Sequence, residues 1–145
     1  MQIKDLMTKH TVSVGQEEPV TAAARLLKRD NIGSVPVCDE KGKVQGIITD
    51  RDITLRCVAA GVDPDKTKIR EVMTTGVYTV SPTDSVDTAA ALMGKAQIRR
   101  LPVCENGTLV GMLSLGDLAV SNNCNMEAGA ALSEISTCIR RRTKK

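Results

Sequence analysis

The chain is nearly devoid of aromatic rings: one Tyr, no Phe and no Trp in 145 residues. Its core must be packed from Val, Ile, Leu, Met and Ala. There is one histidine, His10, and no CxxC pair among the five Cys. Nothing in this pattern supports a four-ligand zinc site, so no metal is expected and His10 reads as an exposed loop residue. The Cys count is odd, and disulfides do not persist in a reducing cytosol. Cys38 and Cys104, each following "PV", are expected to be buried strand thiols acting as small apolar groups.

No apolar run approaches the roughly 18 residues of a membrane helix. The segment "MQIKDLMTKH" lacks the apolar core of a signal peptide, so a cytoplasmic protein is expected. A net charge of +3, from 20 basic and 17 acidic residues, is too small to argue for a nucleic-acid partner. There is no Gly-rich phosphate loop of the P-loop form, and the lone histidine has no catalytic company. An enzyme is not expected. What remains is an ordinary soluble globular profile, with 41% apolar residues, at the usual size of one domain.

What the chain does have is an internal repeat. "IKDLMT" from residue 3 lies on "IREVMT" from residue 69, an offset of 66. At that offset "SVGQEEPVTAAARLL" matches "TVSPTDSVDTAAALM", and "IGSVPVC" matches "IRRLPVC". One residue is then lost in a turn, and "GKVQGIITDRDI" from residue 42 lies on "GTLVGMLSLGDL" from residue 107. Each copy reads β-α-β-β-α. "TVSV" and "YTV" are brief strands. Glu17, Glu18 and Pro19, or Pro82 to Asp84, start a helix, because acidic residues and proline suit a first turn. Val20, Ala23, Ala24 and Leu27 share one helical face. "SVPVCD", "EKGK" and "VQGIIT" form a hairpin, and "ENGT" brings an Asn-Gly turn to the second copy. A closing helix "DITLRCVAAG" ends at Gly61. The expected class is α+β, two β-α-β-β-α repeats packed with pseudo-twofold symmetry plus a C-terminal helix. The boundaries are residues 1–60 for the first repeat, 61–68 for a linker, 69–121 for the second repeat and 122–145 for the tail. In the tail, Ala128, Leu132, Ile135 and Ile139 form a helical stripe, "SNNCN" reads as a turn, and the last few residues are expected to be disordered.

The polar knot after each third strand carries the chemistry. A carboxylate, Asp52 or Asp117, stands at a helix start with a hydroxyl, Thr49 or Ser114, three residues before it. Such a pair can accept and donate hydrogen bonds to a sugar diol. It can equally cap its own helix, and both roles stay open. Arg51 adds a charge-assisted donor for phosphate, whereas its counterpart is Gly116, so the two sites should be unequal.

With "MT" before each first strand, "VPV" or "LPV" in the second, and G-h-h-[T/S]-x-x-D after the third, residues 1–120 resemble a tandem pair of CBS domains, the regulatory modules named after cystathionine beta-synthase. The resemblance implies a non-catalytic module that senses an adenosyl ligand (AMP, ADP, ATP, NAD or S-adenosylmethionine) in clefts between the repeats. It implies one site of Ile47, Thr49, Arg51 and Asp52 with Thr74, Tyr78, Ile98 and Arg100. The other combines Met112, Ser114 and Asp117 with Thr8, Val12, Ile32 and Ser34. Tyr78 would stack on the base or simply pack. Arg99 and Arg100 fall where family members place phosphate-contacting residues, or are solvated strand-start charges. The resemblance also implies a homodimer and an output passed to a separate, unidentified protein. The alternative is a dimerisation scaffold with degenerate, empty clefts.

Overall fold

The computed structural model describes residues 1–9, 11–119 and 129–135. His10, the "SNNCN" turn, Ala128, Ile139 and the terminal residues lie outside them. The first helix, α1, spans Val20–Asp30 and ends on Asn31 in the left-handed conformation. The hairpin strands β1 (Ser34–Cys38) and β2 (Val44–Thr49) follow. Next come a short α2 (Asp50–Ile53) and a π-helical turn (Thr54–Val58). The second copy gives α3 (Val86–Ala96), β3 (Arg100–Glu105), β4 (Thr108–Ser114) and α4 (Leu115–Ala119). A 3-10 turn opens each copy, at Ile3–Asp5 and Ile69–Glu71. The fold is α+β, with two small antiparallel sheets, β1-β2 and β3-β4.

Two local differences from the sequence reading have clear causes. The helices begin at Val20 and Val86, later than the acidic residues before them. Those residues close preceding turns instead: Glu18 accepts from the Gly15 N–H, and Asp84 from the Ser81 N–H at 2.9 Å. "TVSV" and "YTV" shrink to single parallel bridges, Val14 with Val37 and Val80 with Val103. Pro36 and Pro102 supply a carbonyl to these bridges but have no N–H with which to extend the ladder toward Val12 and Tyr78.

The chain divides into two compact units. One, here the Asp52 unit, comprises residues 12–77 and 106–109; the other, the Asp117 unit, comprises the described parts of 1–11, 78–105 and 110 onward. Each is built across the repeats, because the 3-10 turn and "MT" that open one copy pack with the helix and hairpin of the other.

The cores are homologous position by position. Val14, Val20, Ala23, Leu27, Val35, Val37, Ile48 and Ile69 bury together in the Asp52 unit. Their repeat counterparts Val80, Val86, Ala89, Met93, Leu101, Val103, Leu113 and Ile3 bury together in the Asp117 unit. Full burial of one such aliphatic side chain contributes about 1.5–3 kcal/mol. Residues 129–135 are helical and extend the Asp117 unit. Of the expected stripe, Ile135 is buried, but Ala131 takes the second buried position and Leu132 is exposed. The helix comes so near α3 that a Cβ on Gly94 would stand 2.8 Å from Glu134 Oε2.

Candidate ligand site

Each unit brings the same three pieces to the end of its hairpin. The first is a glycine in the last strand. A Cβ on Gly46 would lie 2.8 Å from the Thr74 carbonyl oxygen and 2.9 Å from Met73 Sδ. One on Gly111 would lie 2.9 Å from the Thr8 carbonyl oxygen and 2.8 Å from Met7 Sδ. Only glycine lets the "MT" segment lie this close. Thr74 then exchanges two backbone hydrogen bonds with Ile47, at 2.8 and 3.0 Å, and Thr8 does the same with Met112 at 2.8 and 3.0 Å. The threonines are thereby pinned beside the strand that leads to the polar knot.

The knot itself is a capping box in both units. Thr49 Oγ1 accepts from the Asp52 N–H at 3.0 Å, and Asp52 Oδ2 accepts from the Thr49 N–H at 3.0 Å. Ser114 Oγ accepts from the Asp117 N–H at 3.0 Å, and Asp117 Oδ2 accepts from the Ser114 N–H at 2.8 Å. The helix-capping role left open by the sequence is thus present, and it engages one oxygen of each carboxylate.

The remaining oxygens differ. Asp52 is 8% exposed. The Thr74 hydroxyl donates to this carboxylate, 3.2 Å from Oδ1 and 3.3 Å from Oδ2, and Arg56 Nη1 stands 3.9 Å from Oδ1. Arg56 Nη1 also donates to the carbonyls of Val72 and Met73, at 3.1 and 3.0 Å. Asp117 is half-buried, and among the described residues its Oδ1 accepts no hydrogen bond. Arg56 was not singled out from the sequence. Its counterpart by repeat offset is Ser121, so the duplication gave no signal for it.

The other expected residues sit as follows. In the Asp52 unit, Arg51 is exposed, Ile47 and Val12 are half-buried and Ile32 is at the surface. Ser34 is buried, and its Oγ has no hydrogen-bond partner among the described residues. In the Asp117 unit, Met112 and Ile98 are half-buried, while Thr8, Arg99, Arg100 and Tyr78 are exposed, Tyr78 at 53%. Within single units, therefore, Ile47, Thr49, Asp52 and Thr74 come together at one hairpin end, and Thr8, Met112, Ser114 and Asp117 at the other.

The match to known proteins is direct. The family model described as "CBS domain" fits twice, at residues 3–58 and 69–121. The chain belongs to the CBS-domain family. As a tandem CBS pair it is 43% identical over 134 residues to the CBS domain-containing protein YhcV of Bacillus subtilis, covering 92% of this chain and 94% of that one. A crystal structure of Hypoxic Response Protein I with two coordinated zinc ions aligns with a TM-score of 0.76 at 33% identity, over 82% of this chain and 97% of that one. The CBS domain pair of protein MJ0100, in complex with 5-methylthioadenosine and S-adenosyl-L-methionine, aligns with a TM-score of 0.73 at 32% identity, over 82% and 93%. Among the described residues here, no group of three or more His, Cys, Asp or Glu is placed to hold a metal ion. Nor is any described helix long and apolar enough to cross a membrane.

Proposed function

We propose that this CBS pair is a non-catalytic regulatory module that binds an adenosyl ligand at the hairpin ends of its units and passes the signal to a separate protein. The observation that carries the reading is the complex of the MJ0100 CBS pair with two adenosyl compounds, at 32% identity over most of both chains. The local geometry supports it. Each hairpin end offers a carboxylate and a threonine held beside each other by a glycine contact. In addition, the buried Ser34 hydroxyl lacks a partner among the described residues, which costs about 1–3 kcal/mol unless a polar group supplies one. Arg51, Arg100 and Arg99 are exposed cations suited to a phosphate, and Ile47, Met112, Val12, Ile32, Ile98 and Tyr78 supply apolar surface for a base.

The working form is a cytoplasmic homodimer in this reading. The ligand can shift its conformation only by its differential affinity for the two states. Free ligand at about 100 times its dissociation constant raises folding stability by about 2.7 kcal/mol. Thermal melts of the full chain with AMP, ATP, NAD and S-adenosylmethionine test the reading. A rise in melting temperature with at least one, without turnover of that compound, is the expected result. No shift with any of them at millimolar concentration overturns it in favour of a scaffold with empty sites.

A further inference from the structure

The two hairpin ends carry the same carboxylate, but the protein uses its outer oxygen differently in each. Asp52 is buried and engaged three ways: by the Thr49 N–H, by the Thr74 hydroxyl and by the nearby Arg56 guanidinium. Arg56 reaches this place from the π-helical turn, one turn after Asp52. By donating to the Val72 and Met73 carbonyls it holds the backbone immediately before Thr74. Asp117 has the capping bond alone among the described residues, and Thr8 makes no side-chain hydrogen bond to it.

We propose that Arg56 is a positioning residue that, through Thr74, keeps Asp52 latched inside its own unit, so that Asp117 is the carboxylate that takes a ligand diol first. This rests on the adenosyl-ligand reading above. A diol arriving at Asp52 must displace the Thr74 hydroxyl, exchanging one hydrogen bond for another. A diol arriving at Asp117 adds hydrogen bonds to an oxygen that has none among the described residues. The order is the reverse of what Arg51 and Gly116 suggest for the phosphate end, so the latch sets which unit fills first and leaves the second to respond at higher ligand concentration.

Calorimetric titration of the full chain with AMP decides the matter. Asp117→Asn is expected to remove the tighter binding class, and Asp52→Asn to leave it. In the Asp117→Asn background, Arg56→Gln and, independently, Thr74→Val are expected to strengthen the remaining site by about tenfold. Arg56→Lys, which can still donate to the carbonyls, is expected to change it by less than about twofold. A merely structural role for Arg56 moves affinity the other way, because loosening a site weakens it. Loss of the tighter class in Asp52→Asn, or weaker binding after both Arg56→Gln and Thr74→Val, overturns the latch alone. A wild-type chain that binds no adenosyl compound overturns the functional reading and the latch with it.

Discussion

Gly46 and Gly111 decide how close the "MT" segments lie. A methyl group on Gly46 has nowhere to go: the Thr74 carbonyl oxygen is backbone, and it is already tied to the Ile47 N–H at 3.0 Å. Gly46→Ala should therefore destabilise the chain by about 1–3 kcal/mol, the usual cost of overpacking a close contact. Urea denaturation measures it. Gly15→Ala, where a Cβ would meet nothing nearer than 3.5 Å, is the control expected to cost less. Cys38 gives a second test at this scale. Burial, with a smaller push from Asp39, raises its thiol above the ordinary 9.0, against an opposing hydrogen bond with Ser13. A raised folded-state value means the neutral thiol is favoured on folding. The contribution is complete below pH 9 and is lost as pH rises through the folded value. Native Cys38 should accordingly react slowly with a thiol reagent at pH 8, and wild-type stability should fall more steeply above pH 9 than that of Cys38→Ala.

The knots that follow β2 and β4 are capping boxes, and an N-cap hydroxyl contributes about 1 kcal/mol. Thr49→Val and Ser114→Ala should each lower stability by about that amount in denaturation curves, though Asp52 and Asp117 differ in exposure. Much of this was legible in the chain. The helical faces, the two hairpins and the Asn106-Gly107 turn, with φ of 52° and 82°, follow from patterning and turn chemistry. The capping role of Asp52 was legible as one of two open choices. Other features depend on contacts between distant segments. Pro36 limits the first strand to a bridge only because of which N–H the parallel ladder would need next. Arg56 matters only because a π-helical turn brings it to carbonyls 16 and 17 residues away. Helical spacing in the tail puts Leu132 inward, whereas in the fold Ala131 is buried and Leu132 exposed, on a helix whose Glu134 lies against Gly94.

For the molecule as a whole, duplication explains the cores and conceals the assembly. Ile3 and Ile69 are equivalent in sequence, so nothing in the pattern tells which core each enters. In the fold Ile3 joins Val86 and Leu113, while Ile69 joins Val20 and Ile48. Each unit thus depends on both repeats, and in the Asp52 unit the Thr74 hydroxyl of one copy meets the polar knot of the other.

The central claim is that the paired carboxylates and hydroxyls recognise a sugar diol. Calorimetry of the full chain with AMP and with 2′,3′-dideoxy-AMP, which keeps the base and the phosphate, addresses it most directly. The account predicts that removing both hydroxyls weakens binding by at least about tenfold. Equal affinity for the two compounds would contradict it, because the carboxylates would then be helix caps and nothing more.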